Sequence, residues 1–168
     1  MWNNFVAFMA ALSLFVSQYN HPLHFVKGQM IGADKLEMIV MQATNAKCKG
    51  GGPLDQMYFA PDPSEITKIV AQVKNDLTYE EEVYDCDDFS YWFKASLEKE
   101  WRKAGHTLPL PIVQIFSVLE VKATGKRLYH AFNGIVDSTG HIVWVEPQGP
   151  QVVNFSRINF IMAIALWI

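Results

Sequence analysis

The sequence predicts an α+β fold, with helices first and an antiparallel sheet after them. Two patterns lead there. Ile66, Ile69, Val70, Val73 and Leu77 recur at helical spacing. Residues 112–121, 128–137 and 141–146 are rich in β-branched side chains, and the last two runs flank a turn at Asp137-Ser138-Thr139-Gly140. A third observation is size. A chain of 168 residues is one domain by the usual prior and long enough to bury a core, so residues 1–168 read as a single domain.

The elements follow in order. Asn3 or Asn4 caps a first helix over residues 4–17, apolar nearly all round and so buried on several sides. Within it, residues 5–16 hold one polar side chain, Ser13. No Lys or Arg precedes Lys27 and no small-x-small cleavage site follows, which argues against a signal peptide. The stretch is also too short to cross a bilayer. A core or interface helix is the favoured reading. An export signal and a membrane-surface segment stay as alternatives, so the role of residues 1–30 and the localisation are left open.

Pro22, Gly28 and Gly32 mark residues 18–33 as a loop. Asp34 and Glu37 have capping-box spacing and open a helix to about residue 46. Gly50-Gly51-Gly52-Pro53 breaks the chain. Asp62 caps the next helix, with Pro63 at its first position and Glu65 at its third. An exposed acidic connection covers residues 78–82. A longer helix then runs over residues 86–104, with Phe89, Phe93, Leu97, Glu100 and Trp101 on one side and Gly105 as its stop. Residues 158–168 are uncharged and read as a strand, a core helix or a subunit contact.

Composition excludes some partners. Half of the chain is apolar and the net charge is -3 with no basic stripe, so a nucleic-acid partner has no footprint. Two cysteines, Cys48 and Cys86, are too few for a secreted disulfide framework. No Cys-x-x-Cys or His-x-x-x-His pair supports a zinc site.

Cys86 is the first candidate functional residue. Asp85 is a good N-cap and Asp88 stands three residues on, which puts Cys86 at the first helical position. The helix N-terminus favours a thiolate there, whereas Asp87 and Asp88 oppose it. On its own such a cysteine is as readily a small buried hydrophobe. His130 and Glu146 alter the balance. If Asp137 faces His141 across the turn, Phe132 opposes Glu146 and His130 opposes Gln148. These four side chains then share one face, and His130 and Glu146 are diagonal neighbours. A carboxylate on one imidazole nitrogen leaves the other to serve a thiol. A register slip of one residue would separate the pair.

Tyr84-Asp85-Cys86-Asp87-Asp88-Phe89, His130-Ala131-Phe132-Asn133-Gly134 and Val145-Glu146-Pro147-Gln148 together resemble the C-terminal papain-like cysteine protease domain of the Marasmius oreades agglutinin type. The likeness covers residues 60–150. It implies a papain-like (transglutaminase-like) fold, with a nucleophile at a helix start packed on an antiparallel sheet. It implies a cysteine peptidase, a hydrolase with Cys86 as nucleophile, His130 as general base and Glu146 as orienting acid, acting on a protein or peptide through an acyl-enzyme. It also implies Ca2+ dependence, with Asp87, Asp88 and Gln148 as oxygen ligands, and a possible homodimer. The fungal protein carries a sugar-binding β-trefoil ahead of this domain, for which the present chain has no room. Glycan targeting is therefore not expected here. The alternatives are a transglutaminase-like acyl transferase and a non-catalytic interaction or membrane-associated module keeping the same fold; a membrane partner is the less favoured.

Overall fold

The computed structural model describes residues 21–44, 53–74, 85–156 and 158–166. The expected helix over 4–17, the break at Gly50-Gly51-Gly52, the acidic connection at 78–82, Cys48 and the terminal Trp167-Ile168 lie outside them.

The first described element is a strand. β1 (Gly28–Gly32) pairs antiparallel with β2 (Met57–Pro61), and Met30 stands opposite Phe59. Between them runs α1 (Ala33–Thr44), and α2 (Pro63–Val70) and α3 (Cys86–Lys103) follow. Five more strands form one sheet in the order β6-β5-β4-β3-β7. They are β3 (Ile112–Val121), β4 (Arg127–Val136), β5 (Ile142–Glu146), β6 (Gln151–Val153) and β7 (Ile158–Leu166). Among the described residues every pairing is antiparallel.

This corrects the expected fold class. The described residues are mostly antiparallel sheet with few helices, and they open on a strand, not on the N-terminal helices of an α+β papain-like arrangement. Gly28 and Gly32 misled as loop punctuation. Gly28 is instead required by close approach: a Cβ there would collide with the Ala60 carbonyl and the Phe59 ring. β6, only three residues long, carries no strand signal of its own.

The sheet is covered on both faces because its side chains alternate. Val113, Ile115 and Leu119 of β3 pack with Leu36, Ile39 and Val40 of α1 and with Tyr58 and Ala60 of β2. Ile112 and Ile135 face the other way, onto Ile66, Ile69 and Val70 of α2 and onto Phe93, Leu97 and Trp101 of α3. α2 starts at Asp62 with Pro63 in its first turn, as its sequence predicts. Its cap side chain is used elsewhere, for Asp62 Oδ1 accepts from Ser138 Oγ at 2.7 Å. The helix ends at Val70, although Val73 is still buried.

α3 follows its sequence closely. Asp85 accepts from the Asp87 N–H at 3.3 Å, and Asp88 reaches back to the Asp85 N–H, completing a capping box. Phe89, Phe93, Leu97 and Trp101 recur every fourth residue and are all buried. Gly105 ends the helix with φ 91°, the left-handed conformation that glycine adopts without strain. The β4–β5 hairpin has the register set by its turn: Asp137 N donates to His141 O at 2.9 Å, Ile135 stands opposite Val143, and Asn133 stands opposite Val145. The C-terminal run is a strand. β7 pairs with β3 through a bulge at Ile161, since Val118 opposes Met162 and Leu119 opposes Phe160. Among the described residues, no helix is long and apolar enough to cross a membrane.

Candidate functional site

Two elements bring Cys86, His130 and Glu146 together. Cys86 opens α3, and its Sγ accepts a hydrogen bond from the Ala131 N–H of β4 at 3.4 Å. The thiol is free and half-buried. His130 lies on β4 beyond the last position paired with β5, so its ring has room at the sheet margin. Its Nε2 is 2.8 Å from Glu146 Oε2. The ring also interacts with the Cys86 side chain. The second oxygen of Glu146 accepts from the Gln148 N–H at 3.2 Å. Both carboxylate oxygens are thereby anchored, and the ring orientation with them.

These contacts raise the His130 pKa from 6.5 to about 9. The interaction with Cys86 is the larger cause and the bond to Glu146 the next, outweighing desolvation of the ring. The ring is therefore a stronger base than an unperturbed imidazole. An imidazolium and a helix N-terminus at one sulfur can hold a proton and stabilise negative charge as a thiol attacks a carbonyl carbon.

Beneath the thiol lies a buried polar network that sequence reasoning missed. Ser90 sits one helical turn after Cys86. Its Oγ accepts from Gln114 Nε2 at 3.2 Å, and its backbone carbonyl accepts from Asn133 Nδ2 at 3.3 Å. Gln114 and Asn133 are fully buried and directly opposed on β3 and β4. They tie the start of α3 to the strands that carry His130. The signal was present in the sequence, as an amide within each of two otherwise apolar runs. The Ala131 N–H left no such mark, because a backbone donor is present at almost every residue.

The expected calcium ligands are only partly assembled. Asp88 is spent on the helix cap, its Oδ2 accepting from the Asp85 N–H at 3.4 Å. Gln148 lies beside the site through its backbone bond to Glu146. The carboxylates that converge are those of Asp85 and Asp87, which together with Cys86 Sγ have ligating atoms within 4.8 Å of one another. Their mutual hydrogen bond holds the Asp87 carboxyl above the usual range and that of Asp85 below it. Two carboxylates and a soft sulfur fall short of the six to eight oxygens that Ca2+ takes.

No protein-family model and no curated sequence matches the chain. Solved structures do. One is the "PSL1a-E64 complex", at 20% identity and TM-score 0.58, covering 80% of this chain and 51% of that one. Another is Polyporus squamosus lectin bound to the human-type influenza-binding epitope Neu5Aca2-6Galb1-4GlcNAc, at 19% identity and TM-score 0.57, covering 80% of this chain and 49% of that one. The chain thus spans about half the length of the structures it matches, and at this identity the likeness is one of fold. It corrects the family expectation. The second of these chains is described as a lectin, and the likeness to both is of fold alone. Assignment to the papain-like proteases of the Marasmius oreades agglutinin type falls on that finding, and with it the expected cysteine peptidase (hydrolase) activity.

Proposed function

We propose that this chain is a thiol-based acyl-transfer module, with Cys86 as nucleophile, His130 as general base and Glu146 as the group that orients it. One observation carries the reading. His130 is hydrogen-bonded to Glu146 at 2.8 Å while its ring lines one groove with Cys86 and interacts with that side chain. A buried structural histidine needs neither partner to be a thiol. In the proposed reaction Sγ attacks the donor carbonyl and forms a thioester as the leaving group departs with a proton passed through His130. A primary amine then attacks the thioester and gives its proton to His130, which passes it to the departing Sγ and restores the Cys86 thiol. Incorporation of a fluorescent primary amine into an acyl-donor protein tests this. It is expected to vanish in Cys86→Ala and to drop at least ~100-fold in His130→Ala, in line with the contribution of a general base. Undiminished incorporation by Cys86→Ala would sink the reading.

Ca2+ enters the proposal as a ligand of Asp85 and Asp87 alone, with solvent completing its shell. Calorimetric titration of calcium into the wild type and Asp87→Asn checks it; equal heats exclude this site.

A second reading is a glycan-binding interaction module in which the thiol is idle. It is favoured by the match to a lectin bound to a sialylated epitope. Calorimetry with that trisaccharide separates the two. Binding retained in Cys86→Ala, with no amine incorporation by the wild type, would favour the lectin reading.

A further inference from the structure

The thiol stands at the end of an apolar floor. Two rows of side chains cross β4, β3 and β7 on the sheet face that α3 covers. Ala131, Phe116 and Ile164 form one row, and Tyr129, Val118 and Met162 the next. Strands lie about 4.8 Å apart, so each row reaches roughly 10 Å from β4 to β7. With Cys86, Asp87, Ser117 and His130, all of these side chains but the buried Val118 line a groove of about 210 Å³. That is room for about seven waters, and so for one large side chain.

The outer end of the floor is bare. Tyr129 is 85% exposed and Met162 56% exposed. Tyr91 on α3 is also exposed, with its ring 6.1 Å from that of Phe116. Large apolar side chains gathered in the open around a nucleophile point to an apolar ligand. Among the described residues, Asp87 is the one acidic side chain of the groove, and it would repel a second carboxylate.

We propose that this groove selects acyl donors carrying a branched aliphatic or aromatic group beside the reacting carbonyl, with Tyr129 and Met162 as its specificity-determining residues. The inference rests on the acyl-transfer reading and names its substrate class. Burying one such group in a fitted apolar site discriminates by about 10- to 200-fold against its absence.

A series of N-acetyl aminoacyl aryl esters differing only in side chain tests it. In each, Sγ attacks the ester carbonyl, the bond from carbon to the phenol oxygen breaks, and the phenolate leaves. The thiol proton passes through His130 to the departing phenolate, which is released as phenol. Phenol release gives the rate, and intact mass gives the thioester, with Cys86→Ala identifying the residue acylated. Leucyl and phenylalanyl esters are expected to react at least ~10-fold faster than the glycyl ester, and the glutamyl ester slower than either. Tyr129→Ser and Met162→Ser should each pull the leucyl-to-glycyl ratio towards one. Both positions are exposed, so the fold is retained, and circular dichroism checks this. Equal acylation of Cys86 by glycyl, leucyl and glutamyl esters would overturn the groove while leaving acyl transfer standing. A ratio unmoved by both variants would overturn the assignment to Tyr129 and Met162. Absence of a Cys86 adduct with every ester would overturn acyl transfer and the groove together.

Discussion

His130 is the residue on which charge and geometry meet. Its folded pKa of about 9 lies above the 6.5 of an unperturbed imidazole. The sign follows from that direction. Below pH 6.5 the ring is protonated in both folded and unfolded chains, and its interactions with Cys86 and Glu146 contribute in full. As pH rises from 6.5 towards 9, the unfolded chain gives up the proton first and the contribution is lost. The side chain is 23% exposed, so the loss is of the order of 2–3 kcal/mol. Denaturant unfolding at pH 6 and pH 9.5 should show this fall in the wild type and a clearly smaller one in Glu146→Gln; equal falls would contradict it. The His130–Glu146 pair was legible in the sequence because strand alternation and one turn define it. The fate of Asp87 was not. It interacts with the Asp85 carboxyl, a choice that depends on rotamers more than on spacing.

α3 shows what an element can announce in advance. Its cap, its apolar stripe and its terminal glycine are all local signals, and they place Cys86 at its first residue. β1 announced nothing, since its meaning depends on β2, more than twenty residues further on. The cap of α3 is also the link between local structure and site, because Asp85 fixes the turn that holds the thiol over Ala131. Asp85→Ala should cost about 1 kcal/mol in urea unfolding, the usual price of a lost N-cap. It should also slow alkylation of Cys86 by iodoacetamide, measured against the wild type at equal pH. A variant equally stable and equally reactive would show that the capping box does not position the thiol.

At the scale of the molecule, the candidate site depends on the sheet's remaining intact across its width. β3 lies between β4, which carries His130, and β7, which carries Met162 and Ile164. β7 also brings Phe160 to within 5.9 Å of the Phe132 ring and 5.5 Å of the Trp144 ring, and it buries Ala163 and Ala165. Its place was not legible in the sequence. An uncharged run fits a strand, a helix or an interface equally well, and only pairing with a strand some forty residues earlier decides between them. Removing residues 158–168 would leave β3 as an exposed, largely apolar edge and uncover Ile115, Leu119 and Phe132. The truncated chain is therefore expected to lose its cooperative thermal transition in scanning calorimetry and to aggregate. A cooperative transition within a few degrees of the full chain, with Cys86 still reactive, would show that β4 and α3 hold the site without β7, and the apolar floor would then have to end at β3.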